Sequence, residues 1–115
     1  MARRLTTNAQ IDGFIATVIT AAQHHASNVE TVIQPLSDEV RRRLNLAVDK
    51  VEVYQRLGHI ARTCWVTIGG VRYAFSYDYP SKKIEMRERS LQGRVLANFD
   101  NGTSLQRIAR IVARM

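Results

Sequence analysis

Apolar residues recur at helical spacing through the first third of the chain. After Thr7 and Gln10, which have the form of a capping box, the apolar positions are separated alternately by four and three residues. The positions on this stripe are Ile11, Ile15, Val18, Ala22, His25, Val29 and Val32. Such spacing predicts a helix that buries one of its faces.

The extent of this first helix has two interpretations. No glycine or proline interrupts the stretch between Gly13 and Pro35, which favours a single helix from Asn8 to Gln34 that Pro35 ends. Alternatively, the chain breaks at the sequence Ala-Ser-Asn, and Asn28 caps a new helix. If the single helix is correct, a continuous helix seam is formed by Val18, Ala22, His25 and Val29.

Two further helices are expected later in the chain. Ser37 can cap the first of them, with Asp38 and Glu39 in the first turn, where acidic side chains favour the helix dipole. Thr103 or Ser104 can cap the last helix, whose apolar side consists of Leu105, Ile108, Ile111, Val112 and Met115.

The hydrophobic period changes to two after Lys50, which predicts strands. Two β-rich runs flank Gly69-Gly70, a dipeptide that is typical of a two-residue hairpin turn. The turn sets the register, because a slip of one residue would exchange the two faces of the sheet. One face then carries Cys64, Val66, Ile68, Val71, Tyr73 and Phe75, and the other carries Thr63, Trp65, Thr67, Arg72, Ala74 and Ser76.

The remaining pattern completes an α+β fold. A turn at Pro80-Ser81 precedes a strand with Ile84 and Met86 facing inward, and residues 94–99 form either a fifth strand or an irregular return. We expect one domain over residues 1–115, in which helices cover one face of a four- or five-stranded antiparallel meander. The second face is free to meet water or a partner.

Charge and cysteine content limit the classes of function. The formal net charge is +7, which permits contact with nucleic acid without requiring it. The single cysteine excludes an intramolecular disulfide, and no window has the ~18 apolar residues of a membrane span. We therefore expect a cytoplasmic protein that does not bind membranes.

The histidines and the cysteine do not form a recognisable reactive site. His24 and His25 are neighbours and point about 100° apart on a helix, so they are poorly placed to bind one ion. Cys64 lies on the expected core face, where its thiol stays protonated, and a pair with His59 lacks a third, orienting group. We therefore expect no metal, no cofactor and no catalytic site.

The most promising surface is the sheet face turned away from the helices. Trp65 is expected there with Tyr54, Arg72 and Arg87, a composition that is typical of an interface hot spot. The same group is compatible with stacking on a base or a small aromatic ligand. In a third interpretation, Trp65 is simply shielded by a loop or by the aliphatic stems of the arginines.

Arginines form a second candidate surface, for nucleic acid. One set shares a stripe of the last helix, and another fans out from the second helix: Arg107, Arg110 and Arg114, and Arg41, Arg42 and Arg43. A basic stripe can lie along a phosphate backbone. No recognised nucleic-acid motif accompanies it, so a solvated face is the simpler interpretation.

The C-terminal half resembles a known group of proteins. The strings YAFSYDY, IEMRERSLQG and VLANFDNGTSLQRI are similar to small hypothetical proteins encoded on bacterial integron gene cassettes. The resemblance covers residues 71–115, and the helical N-terminal half adds nothing to it. It implies a protein of a mobile element with an unusual α+β fold that often self-associates, and it assigns no reaction and no functional residue.

Together, these features favour a small non-catalytic binding or interaction protein of unknown ligand. We expect it to form a homo-oligomer, most simply a two-fold dimer, through the helix seam or the open sheet face. The alternative is a basic accessory protein that binds nucleic acid through the arginine stripes. An enzyme of unknown type is the third hypothesis.

Overall fold

The helices lie together on one face of an antiparallel sheet. The computed structural model describes residues 2–56 and 59–115, and the side chains of these residues except 2 and 54–62. In chain order the elements are β1 (Ala2–Leu5), α1 (Asn8–His25), α2 (Ile33–Arg43), β2 (Lys50–Arg56), β3 (His59–Ile68), β4 (Val71–Asp78), β5 (Lys83–Glu88), β6 (Val95–Phe99) and α3 (Leu105–Val112). The α+β class is confirmed. No helix within these described ranges has the length and apolar character that crossing a membrane requires.

The hairpin between β3 and β4 has the predicted register. Gly69 and Gly70 have φ angles of 58° and 82°, which are accessible to glycine at little cost and suit a two-residue turn. Ile68 therefore pairs with Val71, and Cys64 pairs with Phe75. This register directs alternate side chains of both strands towards the helices.

The sheet has six strands where four or five were predicted. The strands are hydrogen-bonded in chain order from β1 to β6, as a meander. Residues 94–99, for which a fifth strand and an irregular return were both left open, contain β6, which pairs with β5. The strand that was not predicted is β1, whose Leu5 pairs with Val51 and is only 2% exposed. Its four residues are too few to show a period-two pattern, so the sequence carried no signal for it.

The alternative break at the sequence Ala-Ser-Asn is confirmed and the favoured single helix from Asn8 to Gln34 is wrong, because α1 ends at His25. Hydrogen bonds from a distant loop hold the chain in a turn after this residue. The side chain of Asn101 donates from Nδ2 to the Ser27 carbonyl (2.7 Å) and accepts at Oδ1 from the Thr31 amide (2.9 Å). The Asn101 amide also donates to the Asn28 carbonyl at 2.8 Å. These bonds satisfy backbone groups that a continuous helix would have paired internally.

The second helix starts earlier than Ser37, the predicted cap. Val32 occupies the N-cap of α2 without a side-chain hydrogen bond, so neither Ser37 nor Asn28 caps this helix. Pro35 lies in the first turn, where the backbone N–H groups have no partner within the helix. A proline is tolerated there, and it did not end a helix as predicted. The predicted caps of the other two helices are confirmed: Thr7 forms a capping box with Gln10, and Ser104 caps α3.

The core lies between the sheet and the helices α2 and α3. Phe99 and Ile108 have no exposed surface, and Val112 is 1% exposed. They pack in one cluster with buried side chains of α2 and of the central strands, including Leu36, Val40, Val66, Phe75 and Met86. A smaller cluster of Leu5, Ile11, Val51 and Val53 joins β1 and the start of α1 to β2. Apolar burial on this one face stabilises the arrangement.

Asp49 ties the loop after α2 to the β3–β4 hairpin. Its buried carboxylate accepts hydrogen bonds from the amide of Asn45 at 2.9 Å and from the amide of Gly69 at 3.1 Å. These two bonds, that of Asn45 first, lower the pKa of Asp49 below its ordinary value of 3.8. The charged form of this residue therefore stabilises the folded state.

We expect Asn101→Ala to lower the free energy of unfolding by about 2 kcal/mol. The substitution removes two side-chain hydrogen bonds to the turn at 27–31, each of which contributes about 1 kcal/mol. Urea denaturation measures the change. The control is Gln106→Ala, an exposed position of α3, for which we expect a change within about 0.5 kcal/mol. Equal stabilities of the two variants would contradict the role of Asn101.

We expect Asp49 to make folding stability depend on pH in the acidic range. Because folding lowers its pKa, its contribution is fully present above pH 3.8 and is lost as the pH falls through the lower pKa of the folded state. Asp49→Asn cannot ionise, so it should be less stable than the unmodified protein at pH 7, and the difference should shrink at the acidic end. Urea denaturation between pH 2.5 and 7 tests this prediction, and a difference that is constant over the range would refute it.

Candidate ligand-binding cavity

Three of the four residues of the predicted aromatic and basic group lie on the sheet face away from the helices: Trp65, Arg72 and Arg87. Trp65 in β3 is partly exposed and pairs with Ala74 in β4, which in turn pairs with Arg87 in β5. The guanidinium carbon of Arg72 lies 5.2 Å from the ring centroid of Trp65, a cation–π contact. The side chain of Tyr54, the fourth candidate, lies outside the described residues.

Arg87 already has protein partners on this face. Its Nη2 atom lies 2.9 Å from Oε1 of Glu85, and its Nη1 atom donates to the Gly93 carbonyl at 2.9 Å. Ala74, between Trp65 and Arg87, has no exposed surface. The face is therefore polar and covered by interacting side chains. These contacts favour the interpretation in which neighbouring side chains shield Trp65 over the one in which this face binds a ligand.

The predicted arginine surface divides into two parts. At the end of α2, Arg42 pairs with Glu39, Arg41 pairs with Asp12, and Arg43 donates to the main-chain oxygen of Met115. On and after α3, the side chains of Arg107, Arg110 and Arg114 are exposed. Half of the predicted basic surface is therefore engaged by the protein itself.

The predicted helix seam is corrected, because α1 ends within it. Val29 lies in the turn after α1 and is 2% exposed, so it belongs to the core. Ala22 is also buried, Val18 is half-buried, and His25 is exposed at the end of α1. Among the residues that the structure describes, no group of three histidine, cysteine or acidic side chains is placed to hold a metal ion.

A cavity of about 500 Å³ lies between α1, α2 and the helix-covered face of the sheet. Its size falls within the range of small-molecule pockets, and its walls are mainly apolar, as such pockets usually are. The main side chains that line it are Phe14, Ile15, Val18, Leu36, Val40 and Phe75. All four residues of the predicted helix seam, Val18, Ala22, His25 and Val29, also line this cavity, so the seam was a candidate site that the structure places in the cavity wall.

The cavity exists because α1 does not pack closely against the sheet. Of the 18 residues of α1, only Ile11 and Ala22 are buried. Ile15 and Val18 on the apolar stripe, and Phe14 beside it, keep part of their surface exposed. An amphipathic helix normally buries this stripe against the core. The space beneath the middle of α1 is therefore not filled by protein atoms.

A few polar side chains border the apolar walls. Ser37 and Arg41 lie one helical turn apart on α2, and Tyr77 and Tyr79 lie at the end of β4 and just after it. The two tyrosine rings meet edge to face, with their centroids 5.0 Å apart. A small number of polar groups in an apolar pocket is the arrangement that orients a ligand.

Cys64 lines the same cavity. Burial raises the pKa of its thiol to about 12, since water no longer stabilises the thiolate. The thiol is therefore protonated at neutral pH, as the sequence predicted for a cysteine on the core face. The side chain contributes to the wall as a small apolar group.

The position of the cavity could not be predicted from the sequence. The same stripe of apolar residues on α1 is compatible with a filled core and with a cavity wall. The available signal was the small size of Ala21 and Ala22, which border the space. Small side chains also occur in tightly packed helix interfaces, so this signal is ambiguous.

Comparison with known proteins identifies one related family. The family model described as "Integron cassette protein VCH_CASS1 chain" matches residues 11–109, which is most of the chain. The resemblance predicted from the C-terminal half is confirmed. It also extends through α1, α2 and the first central strands, where none was predicted. No curated protein matches the chain.

We expect Cys64 to react with iodoacetamide at pH 8 at least about tenfold more slowly than a cysteine in an unstructured peptide. A thiol with a pKa near 12 forms very little thiolate at this pH, and thiolate is the reactive species. Mass spectrometry of the alkylated protein over time measures the rate, and the same protein in urea is the control. Equal rates with and without urea would show that the thiol is not buried.

Proposed function

We propose that this chain, which belongs to the integron cassette protein family, binds a small and mainly apolar molecule between α1 and the sheet. The observation that carries the proposal is the cavity of about 500 Å³ beneath the half-buried stripe of α1. A ligand there would remove the exposed parts of Phe14, Ile15 and Val18 from water. Each Å² of apolar surface removed from water contributes about 25 cal/mol.

We propose a binding role in preference to a catalytic one. The side chains that line the cavity are mainly apolar, and its thiol, Cys64, is held protonated. A nucleophile would need an adjacent base that lowers the pKa or removes the proton. Burial raises the pKa of Cys64, whereas a nucleophilic thiol needs a lowered pKa.

The other expected interactions stay predictions. Self-association through the sheet face around Trp65 has the neighbouring Trp65 and Arg72 in its favour, since both residue types are enriched at interfaces. Nucleic-acid binding has the exposed Arg107, Arg110 and Arg114 in its favour. The ion pairs of Arg41 and Arg42 weaken it, because neutralised side chains release fewer counterions. A cytoplasmic location also stays a prediction.

We expect Val18→Trp to weaken binding of the neutral fluorescent dye N-phenyl-1-naphthylamine by at least about tenfold. Val18 lines the cavity, and an indole ring at this position would occupy the space that the dye needs. Fluorescence titration measures the affinity. The matched control is Ala16→Trp, which adds the same ring on the exposed side of the same helix and should leave the affinity unchanged.

Two outcomes would overturn the proposed function. One is that the unmodified protein does not enhance the fluorescence of the dye at any protein concentration up to 1 mM. The other is equal affinity of the Val18→Trp and Ala16→Trp variants, which would place the dye outside the cavity. Circular dichroism of both variants confirms that the fold is retained before the affinities are compared.

A further inference from the structure

The guanidinium group of Arg41 is an unusual feature of the cavity wall. Arg41 lies in the last turn of α2, and its side chain is 22% exposed. Its Nε and Nη2 atoms are nonetheless buried, and within the described part of the chain neither of them donates a hydrogen bond. A buried donor without a partner typically costs about 1–3 kcal/mol, and more when it is charged.

Asp12 balances the charge of Arg41 without satisfying its donors. Oδ1 of Asp12 forms an ion pair with Nη2 at 2.5 Å, but neither Nη2 nor Nε forms a hydrogen bond of ordinary geometry with it. The Asp12 side chain is 65% exposed, so it lies on the solvent side of the guanidinium. An ion pair whose carboxylate is this exposed contributes about 0–1 kcal/mol to the stability of the fold. A second anion can therefore compete for Arg41 at little cost.

The two atoms that donate no hydrogen bond, Nε and Nη2, indicate the shape of the group that would satisfy both of them. Nε and Nη2 lie on one edge of the planar guanidinium and form a fork that donates two parallel hydrogen bonds. A carboxylate offers two oxygens at matching positions, and such bidentate pairs are among the strongest hydrogen-bonded contacts in proteins. The rest of the wall offers a ligand mainly apolar side chains.

The geometry points to an apolar carboxylic acid as the ligand, with its hydrocarbon part beneath α1 and its carboxylate on the Nε–Nη2 edge of Arg41. This inference rests on the proposed function, since it names the class of molecule that the cavity takes. Arg41 acts as a binding residue that selects for the carboxylate. Asp12 is its competitor: it holds the guanidinium in the empty protein and gives up part of the contact when the acid binds.

Competition with the neutral dye tests the inference. Decanoate and 1-decanol have the same chain length and differ in the head group. We expect decanoate to displace N-phenyl-1-naphthylamine at a concentration at least about tenfold lower than decanol, the effect of one or more charge-assisted hydrogen bonds. Arg41→Met, which keeps the length of the side chain and removes the charge, should abolish this preference while the dye still binds.

Two further variants complete the experiment. Arg42→Met is the matched control, because Arg42 is the next residue of α2, its side chain is 73% exposed and it pairs with Glu39. It should keep the preference for decanoate. Asp12→Asn removes the competing carboxylate, so decanoate should bind this variant at least as tightly as it binds the unmodified protein. Arg41→Lys keeps a charge for Asp12 and loses the fork, and it replaces Arg41→Met if that variant does not fold.

The possible results separate this inference from the proposed function. Absence of dye binding to the unmodified protein overturns both. If the dye binds and decanoate has no advantage over decanol, the cavity is a binding site but the carboxylate assignment is wrong. The assignment is also wrong if the Arg41 variant that folds keeps the full preference, or if Asp12→Asn weakens decanoate binding.

Discussion

The hydrogen bonds between Asn101 and the turn at 27–31 are the constraint on which the arrangement of the helices depends. Both side-chain groups and the backbone amide of Asn101 bind this turn. They connect the loop before α3 to the point where the N-terminal helical region breaks. Without a break there, the chain from Asn8 to Arg43 could not place two separate helices over the same sheet. The turn sets the direction in which α2 leaves α1.

The cavity is a consequence of this geometry. α2 and α3 pack tightly on the sheet, where Phe99 and Ile108 have no exposed surface. α1 is anchored near its ends, through Ile11 in the small cluster and Ala22 in the main one, and its middle stands over unfilled space. The space is partly open to solvent, so apolar side chains of its walls, such as Phe14, Ile15 and Val18, keep exposed surface. Its apolar walls and the poorly satisfied guanidinium of Arg41 are the features on which the proposed binding site rests.

The predictions from sequence succeeded where the signal was local. The Gly69-Gly70 turn determined the register of β3 and β4, and so placed Trp65 and Arg72 on one face and Cys64 and Phe75 on the other. The favoured single helix was wrong and the alternative break at Ala-Ser-Asn was right. The sequence could not decide between them, because the residues that hold the break are 70 or more positions away in the chain. Among the predicted surfaces, the Trp65 face has side chains that pair with one another, whereas the predicted helix seam of Val18, Ala22, His25 and Val29 lines the cavity.

The sequence by itself determined the α+β class, the helix caps at Thr7 and Ser104, and the pairing of the central hairpin. Each of these follows from side chains within a few residues of one another, whose hydrogen bonds and turn preferences act before any long-range contact forms. Only the tertiary structure decided where α1 ends, that residues 2–5 join the sheet, and that a cavity lies beneath α1. These features depend on contacts between distant segments, and an apolar stripe looks the same whether it meets a core or an open space.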